Sequence, residues 1–230
     1  MIQLSIVIPV LNEASTIEPH LIALKKVTST IHTEVIVVDG GSQDNTVSLA
    51  KPLADKVLLS EKGRAQQMNM GAEYASGKTL LFLHSDTSFP RDNNSIDEIF
   101  PFLKKDQKWG FYPVRLSGKH ILFKVIARMM NFRSRLSSVA TGDQCIFVDR
   151  DFFTIYGQFS RIPLMEDVEL SKRLRRIEPP FIASVKVTTD SRRWEKNGII
   201  KTILLMWYLR ALYFFGVSPN FIAQRYYKKK

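Results

Sequence analysis

Two stretches decide the fold: Glu34-Val-Ile-Val-Val-Asp39-Gly-Gly-Ser-Gln-Asp44 and Leu80-Leu-Phe-Leu-His84-Ser-Asp86. Each is a short apolar run that ends in an aspartate and a turn. Runs of β-branched and leucine residues without polar alternation are typical of strands buried on both faces, as in a parallel sheet covered by helices. Ligands of such sheets bind beyond the carboxyl ends of the strands. We therefore expect Asp39 and Asp86 to project from the same sheet edge.

The two aspartates suit different parts of one ligand. Asp39 can accept hydrogen bonds from a base or a ribose. Asp86 can hold a hard cation, because such cations take carboxylate and phosphate oxygens as ligands. The pair therefore predicts a site for a nucleotide diphosphate.

Composition and charge limit the choices. With 230 residues, 45% of them hydrophobic, the chain is long enough for one substantial core in a single domain. Its one cysteine, Cys145, excludes an intrachain disulfide. The net charge of +11 is concentrated after Lys186 and favours an anionic partner: a nucleotide sugar, a phospholipid surface or nucleic acid. Residues 1–10 already have a strand pattern with no secretory signal, which predicts a cytoplasmic location.

Strands and helices alternate along the first part of the chain, which is the pattern of a doubly wound α/β sheet. The predicted strands are Leu4–Val10, Glu34–Val38, Val57–Leu59 and a fourth that ends at Asp86. Three helices are predicted between these strands. The first carries Ile17, Leu21 and Leu24 on one face, the second follows Asp44, and the third runs from near Gly63 to a stop at Gly77.

The pattern beyond Pro90 is looser. It predicts a helix at Ile96–Leu103, a strand at Gly110–Leu116, an amphipathic helix at Ile121–Leu136, a strand at Gln144–Val148 and a helix from Glu166 that buries Leu170, Leu174 and Ile177.

Several common catalytic motifs are missing from the sequence. There is no Gly-x-Gly-x-x-Gly after the first strand and no Gly-x-x-x-x-Gly-Lys-Ser/Thr, so dinucleotide oxidoreductases and P-loop proteins are poor matches. The four histidines are scattered singly, without zinc spacing, and no Gly-x-Ser-x-Gly elbow supports a hydrolase triad.

The motifs that are present resemble, in order, those of the family 2 glycosyltransferases. They are Ser5-Ile-Val-Ile-Pro9-Val-Leu-Asn12-Glu13, Val38-Asp39-Gly-Gly-Ser42-Gln-Asp44, Lys62-Gly63-Arg64, Leu83-His84-Ser85-Asp86 and Glu166-Asp167. The chain is most similar to a compact bacterial subgroup of this family whose members end in an Arg-Arg-Trp segment, here Arg192-Arg193-Trp194. The resemblance implies a single-domain GT-A fold, a Rossmann-like and mainly parallel sheet flanked by helices, over residues 1–198. A C-terminal helical extension would follow over residues 199–230.

The resemblance also implies a site for a nucleotide-sugar donor. Glu13 and Asp39 would accept hydrogen bonds from the base and ribose, Gly41 would let the backbone approach the ligand, and Arg64 at a helix start would contact phosphate. The full set implied for the donor is Pro9, Asn12, Glu13, Asp39, Gly41, Arg64, His84, Ser85, Asp143, Arg192, Arg193 and Trp194.

A divalent cation, Mn²⁺ or Mg²⁺, is implied at Asp86. His84 stands where the family usually has the first acid of Asp-x-Asp. Its imidazole can touch ribose or ligate manganese, whereas magnesium prefers oxygen, and a purely hydrogen-bonding or core role for His84 stays open. No histidine follows His120, although many relatives supply a late histidine to the metal.

Inverting transfer needs a carboxylate that takes the proton of the acceptor hydroxyl. The resemblance assigns this role to Asp167, with Glu166 positioning it or the donor sugar. Both acids would also suit a helix N-terminus on dipole grounds alone. Asp143 could hydrogen-bond sugar hydroxyls. Arg192 and Arg193 would clamp the diphosphate when a late loop closes, with Trp194 stacking on a sugar or anchoring that loop.

Residues 199–217 are nearly all apolar but contain Lys201 and Arg210. Charges near the middle of a span are costly in lipid, which argues against a transmembrane helix. Trp207, Tyr208 and Tyr213 beside basic residues suit a helix in a membrane interface. Packing against the domain or in a homodimer is the alternative.

The predicted activity is that of a hexosyltransferase-like enzyme that moves a sugar, with inversion, from a UDP-sugar to a small or lipid-linked acceptor. It would act in the cytoplasm, at the inner face of the membrane, with no nucleic-acid partner. One alternative is a sugar-nucleotide nucleotidyltransferase, although Pro9–Glu13 is not the glycine-rich basic loop that such an enzyme needs. The other is a non-enzymatic protein that binds anionic membranes.

Overall fold

The computed structural model describes residues 2–90, 96 and 107–227. Strands and helices alternate in its first part, as predicted. The elements are β1 (Leu4–Val10), α1 (Ile17–Val27), β2 (Thr33–Asp39), α2 (Thr46–Ala50), β3 (Lys56–Leu59), α3 (Arg64–Glu73) and β4 (Thr79–Phe82).

The second part has shorter strands and longer helices. Its elements are β5 (Thr87–Ser88), β6 (Trp109–Phe111), β7 (Val114–Leu116), α4 (Ile121–Ser137), a 3₁₀ turn (Gly142–Gln144), β8 (Phe147–Asp149), α5 (Arg150–Phe152), a π turn (Phe153–Gly157), α6 (Glu166–Leu174), β9 (Phe181–Ile182), β10 (Val187–Thr189), α7 (Arg192–Asn197), α8 (Ile199–Phe214) and α9 (Pro219–Tyr227). The helix predicted at Ile96–Leu103 lies outside the described residues, except for Ile96.

The central sheet has the strand order β3-β2-β1-β4-β8-β6-β9. The first four of these strands are parallel, and β8 runs antiparallel to both of its neighbours. A small second sheet, β5-β10-β7, lies beyond the carboxyl end of β4. The predicted mainly parallel sheet flanked by helices is confirmed.

The continuous apolar runs exist because this sheet is covered on both faces. Successive side chains of a strand point to opposite faces. Ile6 and Ile8 of β1 pack in one cluster with the α1 residues Ile17 and Leu21. Val7, between them, packs in a second cluster with the residues Ala65, Met68 and Ala72 of α3.

Several predicted boundaries were wrong. β4 ends at Phe82, not at Asp86, and a turn closed by Thr87 N–H donating to the His84 carbonyl leads into β5. The predicted strand at Gly110–Leu116 is two strands in different sheets, separated at Pro113, which has no N–H to continue a ladder. The strand predicted from Gln144 begins at Phe147, because Gly142–Gln144 forms the 3₁₀ turn.

Two predicted helix ends also differ. α3 ends at Glu73, well before Gly77, whose backbone N–H donates to Ser5 Oγ (2.8 Å). Ile177 is exposed because α6 ends at Leu174 and the chain leaves the helical face.

The C-terminal helices pack on the domain. Leu209 of α8 and Ile222 of α9 are buried in one cluster with Leu164 and Met165, the residues just before α6. Within the described part of the chain, none of the helices has the length and apolarity needed to span a bilayer.

Candidate active site

The loops after β1 and β2 form the first wall of the site. The Asn12 backbone N–H donates to Ser42 Oγ (2.8 Å), and the Gln43 N–H donates to Asn12 Oδ1 (2.8 Å). The backbone N–H of Glu13 donates to Thr46 Oγ1 (2.8 Å), and its Oε2 accepts a hydrogen bond from Thr16 (2.7 Å). These bonds fix the two loops to each other at the sheet edge.

Asp39 organises the turn that follows it. The carboxylate is buried, and its Oδ2 accepts hydrogen bonds from the N–H groups of Gly41 (2.9 Å) and Ser42 (2.8 Å). Its Oδ1 accepts one from the Ser42 hydroxyl. Gly41 has a φ of 91°, which favours glycine. All of these hydrogen bonds to Asp39 come from its own loop, and its contact with a nucleobase stays a prediction.

Three candidate metal ligands meet beyond the end of β4. Ligand atoms of His84, Asp86 and Asp143 all lie within 4.8 Å of one another. His84 is buried, Asp143 is half-buried and Asp86 is exposed. One imidazole and two carboxylates fit Mn²⁺ well, since imidazole nitrogen suits it better than it suits Mg²⁺. The sequence predicted Asp86 as a ligand and left metal ligation by His84 open, and Asp143 joins these two residues through the tertiary fold.

The electrostatics of this cluster suit a cation. Although Asp86 is exposed at the surface, the partial loss of water around its carboxylate and then the charge of Asp143 raise its pKa. Burial alone would also raise the pKa of Asp143, but the neighbouring His84 and the more distant charges of Arg64 and Arg210 lower it below its ordinary value. Two carboxylates that oppose each other in this way would both be stabilised as anions by a bound dication.

Gly142 connects this cluster to α6. A Cβ atom at this position would lie 2.2 Å from His84 Cε1, so only glycine lets the loop pass across the imidazole. The Gly142 N–H also donates to Asp167 Oδ2 (2.6 Å). The backbone amide of Gly142 thus lies between the candidate metal ligands and the predicted base, Asp167.

Glu166 and Asp167 begin α6, as predicted. Asp167 is half-buried, and its Oδ1 accepts a hydrogen bond from the Val168 N–H (2.7 Å). Glu166 is buried, and its pKa is raised first by burial and then by the adjacent Asp167. Asp167 therefore has both a helix-capping contact and a place beside the cluster.

Arg64 is the first residue of α3, and part of its side chain is exposed. Partial removal of the guanidinium from solvent opposes its charge, but Glu166, Tyr226, Asp143 and Asp86 together raise its pKa. Arg64 is thus a cation whose charge acts on the acidic cluster. Tyr226 of α9 was not predicted from the sequence, because only the docking of the C-terminal helices brings it here.

The Arg192-Arg193-Trp194 segment was predicted as a loop and is instead the start of α7. Arg192 pairs with Asp190 (Nε to Oδ2, 2.5 Å), and the Arg193 guanidinium lies 4.3 Å from the centre of the Tyr226 ring. Trp194 packs against an apolar cluster that includes Phe123, which fits the anchoring role. Asp190 Oδ1 accepts the Arg192 N–H (2.7 Å), which satisfies one of the free N–H groups at the start of this helix.

Other predicted residues lie at the edges of the site. Pro9 is buried within β1, and Ser85 is half-buried between His84 and Asp86. Asn69 of α3 exchanges two hydrogen bonds with the backbone of Phe159 (2.8 and 2.9 Å).

The mainly parallel sheet flanked by helices, with an acidic cluster beyond its carboxyl edge, places the protein in the class of GT-A folds. The family model described as Glycosyl transferase family 2 matches residues 5–137, more than half of the chain. The chain belongs to this family, which confirms the prediction from its motifs.

Curated relatives match part of the chain. A 95-residue stretch is 37% identical to the glycosyltransferase AglE of Haloferax volcanii and covers 36% of this chain and 30% of that protein. A 107-residue stretch is 36% identical to the dolichyl-phosphate beta-glucosyltransferase of Drosophila melanogaster and covers 39% of this chain and 33% of that protein. The matched part therefore spans about a third of these relatives.

Solved structures confirm the GT-A fold. TarS of S. aureus superposes with a TM-score of 0.62 at 15% identity, over 83% of this chain and 61% of that one. Glucosyl-3-phosphoglycerate synthase of Mycobacterium tuberculosis, in complex with Mn²⁺, UDP and glucosyl-3-phosphoglycerate, gives 0.59 at 20% identity, over 82% and 70%. The mannosyltransferase PcManGT of Pyrobaculum calidifontis, in complex with GDP-Man and Mn²⁺, gives 0.59 at 18% identity, over 81% and 56%.

Proposed function

We propose that this protein transfers a sugar from a nucleotide-diphosphate sugar, a UDP-sugar, to a small or lipid-linked acceptor with inversion at the anomeric carbon. The observation that carries the proposal is the chain of contacts from His84, Asp86 and Asp143 through Gly142 to Asp167. This arrangement supports a cation site for the diphosphate next to a carboxylate that can act as the base.

Each residue has a separate task in this reaction. Asp167 accepts the proton of the attacking hydroxyl, and buried Glu166 holds the start of α6 against the cleft. Arg64 contacts the diphosphate. A divalent cation, Mn²⁺ or Mg²⁺, held by Asp86 with His84 and Asp143 would stabilise the charge of the departing diphosphate. Glu13 and Asp39 bind the base and the ribose. Both residues also stabilise the paired loops in which they lie.

The choice of UDP has support from a neighbour that was solved with UDP and Mn²⁺, while another was solved with GDP-Man. The experiment that tests the donor is therefore a thermal-unfolding screen of UDP-, GDP- and dTDP-sugars, each with and without Mn²⁺. Because a ligand that binds only the folded state stabilises it, saturating UDP-sugar should raise the Tm by roughly 5–10 °C.

The same screen tests the metal ligands. Asp86→Asn should lose the Mn²⁺-dependent part of the shift, whereas Asp151→Asn, a change at an exposed aspartate outside the site, should keep it. Stabilisation by UDP and Mn²⁺ that is equal in Asp86→Asn and the parent protein would contradict the metal assignment. A Tm that no nucleotide changes would contradict the donor.

Product analysis separates the rival functions. A transferase releases UDP from a UDP-sugar, whereas a nucleotidyltransferase releases pyrophosphate from a nucleoside triphosphate and a sugar phosphate. A non-enzymatic membrane protein would bind anionic lipid without nucleotide dependence, even after loss of both Asp86 and Asp167.

The proposal includes docking at the cytoplasmic face of an anionic membrane. α4 exposes a stripe of large apolar side chains at helical spacing: Ile121, Val125, Met129, Phe132 and Leu136. α8 exposes Ile200, Leu204, Trp207, Tyr208 and Phe214. Residues of both helices share one apolar cluster, so the stripes belong to neighbouring surfaces. Exposed Lys124 and Arg128 add the charge that anionic lipid attracts.

A further inference from the structure

Two arginines near the candidate base have no acidic partner. Arg133 of α4 and Arg210 of α8 are half-buried, and no carboxylate of the described residues lies within 4 Å of either guanidinium. The Nε atom of each is buried and makes no hydrogen bond in this part of the chain. A charge buried in this way is costly unless a ligand pairs with it.

Hydrogen bonds place Arg133 beside α6. Its Nη1 donates to the Val139 carbonyl (3.2 Å) and its Nη2 to Ser134 Oγ (3.0 Å). The next residue, Ala140, donates its N–H to Ser171 Oγ (3.2 Å), one helical turn after Asp167. The guanidinium of Arg133 therefore lies at the loop that leads to Gly142 and the candidate base.

Helix packing brings the part of α8 that carries Arg210 to the start of α6. The preceding residue, Leu209, is buried against Leu164 and Met165, which directly precede α6. Arg210 senses the charges of Asp167 and Asp143, and burial lowers its pKa despite them. Burial and the charge of Arg210 lower the pKa of Arg133 to about 10. Residues of α4 and α8 share one apolar cluster, so the two arginines lie on helices that pack together.

We propose that Arg133 and Arg210 form an anion subsite that binds a phosphate group of the acceptor beside Asp167. Two guanidinium groups can hold phosphate oxygens through paired N–H donors, which a lysine cannot do. The inference rests on the proposed function, in which Asp167 receives the proton of the acceptor. The donor diphosphate is the other source of phosphate, and Arg64, which faces Asp86 and Glu166, serves that group instead.

The test is a calorimetric titration of inorganic phosphate into protein saturated with UDP and Mn²⁺. Phosphate should bind the parent protein, and Arg133→Gln and Arg210→Gln should each weaken phosphate binding by roughly tenfold or more. Their UDP affinity should change by less than about twofold, which also shows that the variants fold. Arg135→Gln, a change at an exposed arginine of α4, should bind phosphate as the parent does.

Two results would contradict the proposed subsite. The first is equal phosphate affinity in Arg210→Gln and the parent protein. The second is phosphate binding that UDP abolishes, because that result would assign the arginines to the donor. If a glutamine variant does not fold, Arg133→Lys and Arg210→Lys replace it and should still bind phosphate more weakly than the parent. Should UDP fail to bind the parent, the proposed function fails, and the same titrations of UDP-free protein still decide the subsite.

Discussion

At the scale of single residues, Asp167 serves two purposes at once. Its two carboxylate oxygens accept the Gly142 and Val168 N–H groups, so the residue fixes the loop that carries Asp143 as well as the start of α6. An asparagine has only one acceptor oxygen and cannot satisfy both donors. Asp167→Asn therefore affects stability as well as proton transfer, and each effect needs its own measurement.

We predict that Asp167→Asn lowers UDP release from the UDP-sugar by roughly 10² to 10⁴-fold, because the amide cannot take a proton. The free energy of unfolding should fall by only about 1–2 kcal/mol, the cost of one unmet hydrogen bond. UDP release under single-turnover conditions and urea unfolding measure the two effects.

Asp149→Asn is the matched control, because Asp149 Oδ1 also accepts an N–H group at the start of a helix, that of Phe152 in α5 (3.0 Å), but pairs with Thr79 at the other end of β4. It should keep turnover within about twofold of the parent rate. Near-parent turnover by Asp167→Asn would return the residue to a capping role and move the base to Glu166 or Asp143.

At the scale of secondary-structure elements, one buried acid joins several parts of the sheet. Oε1 of Glu34, in β2, accepts hydrogen bonds from Ser5 Oγ of β1 (2.6 Å) and the Ser76 N–H (2.5 Å). Its Oε2 pairs with Lys56 of β3 (2.9 Å). Burial alone would raise the pKa of Glu34, but these partners lower it to about 2.

We predict that Glu34→Gln destabilises the protein by about 1.5–3 kcal/mol at pH 7, the contribution of hydrogen bonds to a charged group. The folded-state pKa lies below the ordinary value of 4.5. The stabilisation is therefore complete above pH 4.5 and is lost as the pH falls toward 2. The stability difference between parent and variant should accordingly narrow across that window in urea unfolding.

Glu18→Gln supplies the comparison, since Glu18 is an exposed acid on α1. It should change stability by less than about 0.5 kcal/mol at every pH. A Glu34→Gln deficit that is the same at pH 7 and pH 3 would mean that packing, not the charge of Glu34, provides the stabilisation.

At the scale of the whole molecule, α4 and α8 have two different faces. Toward Asp167 they present Arg133 and Arg210, and toward solvent they present the apolar stripes that include Phe132 and Trp207, which are 67% and 56% exposed. The proposed acceptor subsite and the proposed membrane surface are thus built from the same two helices.

We predict that binding to phosphatidylglycerol-containing vesicles rises with the anionic fraction and falls with added salt. Phe132→Ser combined with Trp207→Ser should weaken co-sedimentation by roughly tenfold or more, because each aromatic side chain contributes about 1.5–3 kcal/mol when it leaves water.

Ile177→Ser is the control, because Ile177 is an exposed apolar residue that follows α6, outside both stripes. It should leave vesicle binding unchanged. Binding that ignores the anionic fraction would contradict membrane docking. A dimer in sedimentation velocity that the Phe132 and Trp207 changes dissociate would favour the homodimer alternative.

The sequence by itself determined the parallel half of the sheet and the residues at its carboxyl edge. The runs that end at Asp39 and near Asp86 are buried on both faces, and only a covered parallel sheet satisfies that pattern. Asp39 and Asp86 follow from the local rule that ligands bind beyond strand ends, whereas Glu166 and Asp167 were assigned through the resemblance to the family 2 glycosyltransferases. These features depend on residues that are close together in the chain, so they can be predicted from the sequence.

Only the tertiary structure decided which distant residues complete the candidate site. Asp143 reaches His84 because Gly142 has no side chain. Arg210 and Tyr226 reach the cleft because α8 and α9 dock on the residues before α6. None of these contacts has a periodic or local signature, since each depends on the packing of elements that are far apart in the chain.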